Sequence, residues 1–180
     1  MFYGELGWRY PLNNVLSRHI GSGFRLPQRP GHEGIDIQRH APNHVAGTYN
    51  AIMGEAVFAV HSGTVAVSQW NACAGWWVAI RSDIIDADGS RIVSRYMHLR
   101  DRPLVRADVP NPRINQGVQI GNVGNSGDTR GQGPGGRSSG HLHLDFNNGN
   151  LLDNIGWATI NPQRFFPNIN FTGATSNVLR

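Results

Sequence analysis

The chain of 180 residues contains no Lys; all 16 of its basic residues are Arg. Set against 12 acidic residues, they leave a formal charge of +4. No run of basic residues forms, so nothing in the charge pattern argues for nucleic acid. A modest positive balance suits an anionic partner, while Arg scattered over a solvated surface would give the same total. Cysteine is nearly absent: the single Cys73 excludes an internal disulfide and any cysteine-cluster metal site. Its setting, Ala72-Cys73-Ala74, predicts a buried structural thiol. Long apolar runs are missing too. None approaches the roughly 20 residues that cross a bilayer, so no membrane span is expected. The start, Met1-Phe2-Tyr3-Gly4-Glu5, has neither the basic beginning nor the apolar stretch of a signal peptide.

Gly, at 23 residues, and Pro, at 10, are what the chain has in quantity. With short apolar runs between them, they point to strands and turns rather than long helices. Strands are expected at 56–60, 64–69, 76–82, 91–98, 118–123 and 141–146. Ser62-Gly63 reads as a tight turn. Asp86-Ala87-Asp88-Gly89 reads as a hairpin turn, and Asn147-Asn148-Gly149 carries the Asn-Gly pair that favours a type I′ turn. The alternation in Thr64-Val65-Ala66-Val67 and His141-Leu142-His143-Leu144 is that of antiparallel strands with two distinct faces. The fold class is therefore mainly β, an antiparallel β-sheet core. Three segments, 20–34, 101–116 and 125–140, read as long loops able to wall a site. No boundary divides the chain, which reads as a single domain over 1–180 with a C-terminal tail wrapping it.

Of eight His, two groupings stand out. His141 and His143 are two apart on a strand and share a face, with Leu142 and Leu144 turned to the core. Such a pair can share a metal, or one member can bind metal while the other handles protons; alone, it is more often two surface residues. His32 and Asp36 offer an imidazole and a carboxylate four apart. The Gly and Ile around them argue against a helix, so a loop leading into a strand must aim them. Together the groups supply two imidazoles, a carboxylate and one His to spare. Three protein ligands leave a fourth position open, the arrangement of a catalytic rather than a closed structural zinc site.

His32-Glu33-Gly34-Ile35-Asp36-Ile37, Tyr96-Met97-His98-Leu99 and Gly140-His141-Leu142-His143-Leu144-Asp145 resemble, in order and spacing, the three signature motifs of the lysostaphin-type (M23, LytM-like) metallopeptidases. Glu55–Val65 and Gln119–Gly127 are similar to supporting segments of that family, and the likeness runs from about residue 21 to 147. The resemblance implies that His32, Asp36 and His143 hold Zn2+, that His141 is the general base, and that His98 steers water or stabilises the charged intermediate. It implies loops walling a narrow groove over the sheet. The implied function is hydrolysis of peptide stem or crossbridge bonds of bacterial peptidoglycan by attack of a zinc-bound water, extracellularly or in the cell envelope; separately, a monomer is expected. Segments 101–116 and 125–140 look longer than is usual in the family. Its Gly-Trp-Arg-like element has two candidates, Gly7-Trp8-Arg9 and Gly23-Phe24-Arg25.

Two other classes compete. One is a zinc-loaded but non-hydrolytic wall-binding or regulatory module. The other is a sheet protein that binds carbohydrate or carries phosphate on His, which would leave Asp36 without a role. Gly131-Gln132-Gly133-Pro134-Gly135-Gly136 formally matches a dinucleotide-binding loop, but Pro134 opposes the helix such a loop needs. His19, His40 and His44 read as surface residues and His61 as a turn residue. Of Trp76 and Trp77, at least one is expected in the core. Asp145 shares the face of the His pair and is a candidate to orient a ligand.

Overall fold

A computed structural model describes residues 7–13, 18–27, 29–39, 52–85, 89–129, 140–149 and 159–166. These form ten strands: β1 (Arg18–Ser22), β2 (Ile35–Arg39), β3 (Ala56–Phe58), β4 (Gly63–Asn71), β5 (Gly75–Ile85), β6 (Arg91–Leu99), β7 (Arg113–Ile114), β8 (Gln119–Asn122), β9 (Leu142–Asn147) and β10 (Thr159–Ile160). Among the described residues the only helix is a 3-10 turn, Pro162–Arg164, capped by Asn161. The larger sheet runs β1-β2-β9-β6-β5-β4-β7, with β10 also paired to β9; β3 and β8 make a separate pair. Every pairing is antiparallel.

The expected strands all exist. The pairing around Ser62-Gly63 differs from a simple hairpin. β3 pairs with β8, while β4 pairs with β5, so the chain crosses between sheets there. Val57 of β3 and Ile120 of β8 join the main core against the larger sheet. The sequence reading also missed β1, β7 and β10. Two of these three are only two residues long.

Strand alternation divides the larger sheet into two faces. On one, Ile35, Ile37, Val78, Ile80, Tyr96, Leu142, Leu144 and Phe146 join the main core with Val57, Ile120, Trp8, Phe165 and Phe166. Burying these side chains is the dominant stabilising term. Trp8 stacks on Phe146 and Phe165 at ring-centroid distances of 5.7 and 4.6 Å. Trp8 of Gly7-Trp8-Arg9 thus belongs to the core packing. On the other face, Trp77, Ala79, Val93 and Met97 form a smaller apolar cluster with Ala74. β5 and β6 are therefore covered on both sides, and their apolar runs are nearly continuous, as expected of doubly buried strands.

The β4–β5 turn corrects the reading of Cys73. Asn71 Oδ1 accepts from the backbone N–H of Cys73 (2.7 Å) and Ala74 (3.2 Å), and Gly75 takes a positive φ of 67°. An Asn side chain bonding the backbone two residues ahead makes a tight turn. It leaves Cys73 exposed rather than buried. The turn at Asp86-Ala87-Asp88, the Gly-rich segment 130–139, and His40 and His44 lie outside the described residues.

Candidate metal centre

β2, β6 and β9 are neighbours, and their register decides what meets. Asp36 pairs with His143 across β2 and β9, and Met97 pairs with His143 across β6 and β9. His32 reaches the same point from the loop before β2. Its Nε2 lies 3.0 Å from Asp36 Oδ1 and 3.2 Å from His143 Nδ1; His143 Nδ1 is 2.9 Å from Asp36 Oδ1. The three side chains thus converge from two strands and a loop, each offering one ligand atom.

The other nitrogen of each of these imidazoles is already engaged. His32 Nδ1 is 2.8 Å from the Gly23 carbonyl, so it is the donor there and leaves a lone pair on Nε2. His143 Nε2 faces Asp145 Oδ2 at 3.4 Å, leaving Nδ1 toward His32 and Asp36. Two imidazole nitrogens and a carboxylate oxygen then crowd one point, where positive charge, a proton on His143 or a bound metal ion, is favoured. Zinc with tetrahedral ligands at 2.0–2.2 Å would set them about 3.3–3.6 Å apart, slightly wider than the observed contacts. The donor set, N, N and O, is one that zinc accepts.

The electrostatics point the same way. Burial alone would raise the Asp36 carboxyl, but His141, His143 and His32 outweigh it and hold the group well below the usual carboxylate range. Burial would lower His143, yet Asp145 and Asp36 prevail and raise it to about 9. The centre stabilises positive charge.

His98 and His141 stand beside it. His98, the penultimate residue of β6, has φ +61°, a left-handed conformation uncommon for a residue other than Gly. Its backbone N–H donates to the Ala74 carbonyl at 2.8 Å, and its Nδ1 lies 2.8 Å from the Ser126 carbonyl. The β4–β5 turn and the 124–127 segment therefore set its ring. Burial, with a smaller effect of His141 and His143, lowers its pKa to about 4, so the ring is neutral at ordinary pH, with Nδ1 protonated and Nε2 an acceptor. His141 precedes β9 and bridges to Gly124; its ring is 4.8 Å from that of His98, and its Nε2 is 3.6 Å from Asp36 Oδ1.

His32, Asp36, His98 and His143 open onto a groove of about 250 Å³, walled also by Arg29, Cys73 and Asp128, while His141 is fully buried behind them. Arg29 Nη1 bonds Asp36 Oδ2 at 2.9 Å and holds that oxygen away from the imidazoles. A larger hollow of about 490 Å³ beside β7 is lined mainly by apolar side chains, Arg106, Arg113 and Asn residues and contains no metal-ligating group.

All five residues singled out by the sequence are brought together. His61 lies in the bend between β3 and β4, as expected, and is buried there against Trp8, with ring centroids 4.6 Å apart. Tyr96 lies on the core face, its hydroxyl accepting from Val60 N–H at 2.9 Å. Arg95 escaped sequence reasoning altogether, because a buried Arg has no local signal.

A family model described as peptidase family M23 matches residues 31–154. Among solved structures, a zinc containing peptidase from Vibrio cholerae is similar at 24% identity and a TM-score of 0.51, over 81% of this chain and 40% of that one. Helicobacter pylori Csd3 matches at 17% identity and a TM-score of 0.53, over 88% of this chain and 34% of that one. The SpoIIIAH and SpoIIQ complex matches at 17% identity and a TM-score of 0.55, over 86% of this chain and 96% of that one. The chain spans less than half the length of the Vibrio and Helicobacter proteins. At these identities the likeness is one of fold.

Proposed function

This chain belongs to peptidase family M23, and from that membership we propose that it is a zinc-dependent endopeptidase cleaving peptide stem or crossbridge bonds of bacterial peptidoglycan. The observation that carries the reading is the convergence of His32 Nε2, Asp36 Oδ1 and His143 Nδ1, with two further imidazoles beside them. In this reading those three residues hold the ion, His141 is the general base and His98 a water-orienting group. Residues 1–180 act as one peptidase domain.

The chemistry that zinc supplies when bound is polarisation of the scissile carbonyl and a water whose pKa falls to about 7. The chain's own groups supply the rest. His141 Nε2, facing the centre, takes the proton as water adds to the carbonyl and returns it to the leaving amine. His98 Nε2 can only accept while the ring is neutral, because Nδ1–H is committed to Ser126; it orients the water by accepting from it. Arg29 keeps Asp36 Oδ2 engaged, which favours binding through Oδ1 alone. The groove walls position the peptide, converting the attack into an intramolecular step.

The +4 charge, carried by Arg alone, favours association with an anionic wall. Among the described residues no helix is long and apolar enough to cross a membrane. The proposed place of action is extracellular or in the cell envelope, as a monomer.

Zinc content of the purified chain, measured with release of new amino termini from peptidoglycan sacculi, tests the proposal. About one zinc per chain and release abolished by a chelator are expected. Zinc without release from walls of several chemotypes would make it a binding module. A chain that takes up no zinc on reconstitution would sink the reading.

A further inference from the structure

Behind the metal centre lies an ion pair that the chemistry above does not use. Arg95 and Asp145 are register partners across β6 and β9. Arg95 Nε donates to Asp145 Oδ1 at 2.6 Å, and both side chains are almost wholly buried. The second carboxylate oxygen, Oδ2, faces His143 Nε2 at 3.4 Å. Asp145 is two residues beyond His143 on the same strand, so alternation puts both on the groove face.

We propose that Asp145, held in place by Arg95, is a positioning residue for the metal centre: it fixes the orientation and tautomer of His143. The proposal rests on the reading of His143 as a metal ligand. An imidazole can flip about its last torsion, which would turn a carbon toward His32 and Asp36 in place of Nδ1. Only the flip state observed puts a ring N–H against Asp145. A carboxylate in that position keeps the proton on Nε2 and the lone pair on Nδ1, the arrangement that metal-bound imidazoles need.

Arg95 makes this arrangement possible. A buried carboxylate without a partner is costly and would rotate or take up a proton. Arg95 satisfies Oδ1 and leaves Oδ2 for His143. Gly34 closes the assembly from the other side: a Cβ there would sit 2.6 Å from His143 Nε2 and 2.8 Å from Asp145 Cβ. The loop can cross this pair only because residue 34 has no side chain.

The test compares full-length wild type, Asp145→Asn, and the double variant Arg95→Met with Asp145→Leu, which removes both charges together and leaves neither unpaired. Zinc affinity is measured by competition with a chromogenic chelator. The His143 tautomer in metal-free protein is read by side-chain nitrogen NMR above pH 9, where the ring has lost its second proton. The expected result is a zinc dissociation constant raised about 10–100-fold in the variants, with the Nε2–H form of His143 depleted. A purely structural ion pair would change the melting temperature and leave the tautomer alone. Folded variants with wild-type zinc affinity and an unchanged tautomer would overturn the inference while leaving the metal centre standing. A wild-type chain that binds no zinc would overturn both. If Asp145→Asn does not fold, the double variant carries the comparison by the same criteria.

Discussion

Asp36 and His143 are register partners on adjacent strands, and Asp36 Oδ1 stands 2.9 Å from His143 Nδ1. Residues 107 positions apart therefore owe their meeting to the β2–β9 pairing alone. A one-residue slip would turn Asp36 into the core and bring Ile35 or Ile37 to the groove. Ile35 and Ile37, fully buried on the opposite face, guard against that slip.

Asp36→Asn keeps the shape but removes the only carboxylate among the three converging ligand groups. Zinc affinity should fall by more than about 100-fold, beyond the loss typical of outer-sphere partners, and wall hydrolysis should fall with it. Titration of bound zinc against a chelator, followed by the sacculus assay at saturating zinc, separates lost affinity from lost turnover. Unchanged affinity would remove Asp36 from the ligand set.

His98→Ala should behave differently. His98 is set by Ala74 and Ser126 and stands outside the three converging groups. The variant should keep one zinc per chain while turnover drops by about 100-fold, the scale of a misplaced reacting group. The drop should appear in kcat rather than KM. Loss of zinc in this variant would mean that His98 holds the metal.

Gly34→Ala should damage the centre without replacing a polar residue. Its Cβ would meet His143, the Leu144 carbonyl and Asp145 at 2.6–2.8 Å. Overpacking of this kind costs about 1–3 kcal/mol, and here it would also displace a ligand. Gly31→Ala is the control, since nothing lies within 4 Å of its Cβ. Melting curves with and without zinc should show a loss for Gly34→Ala and almost none for Gly31→Ala. Equal behaviour would contradict the packing drawn around His143.

Much of this was legible in the sequence because the signals are local. His32 and Asp36 share one short segment, His141 and His143 share one strand start, and strict alternation assigned Leu142 and Leu144 to the core, where both are fully buried. What escaped was set by distant pairing. β7 and β10 are two residues each and show no alternation of their own. The Arg95–Asp145 contact follows from β6–β9 register, which no single segment encodes. Cys73 was misread because its Ala neighbours suggested burial, while the stronger sign was Asn71 followed by Gly75, a turn in plain view. His61 sits in the bend that Ser62-Gly63 suggested, but its burial was not legible, because Trp8 folds over it from far upstream.

That buried His61 carries the last prediction. Burial lowers its pKa from 6.5 to about 4, against smaller opposing effects of the Ser62 carbonyl and Asp83. The unfolded chain therefore binds a proton below pH 6.5 that the native chain refuses until pH 4. Where the unfolded state holds more protons, stability rises with pH. His61 thus contributes stability that is fully present above pH 6.5 and is lost as pH falls toward 4, at most about 3 kcal/mol in all. His61→Phe fills a similar space beside Trp8 and cannot take a proton. Denaturant unfolding from pH 7 to 4, with both proteins at the same zinc loading, isolates this group, because the other titrating residues are common to the two. The wild type should lose more stability than His61→Phe over that range. Parallel curves would show that His61 is protonated in the native protein at no greater cost than in the unfolded chain.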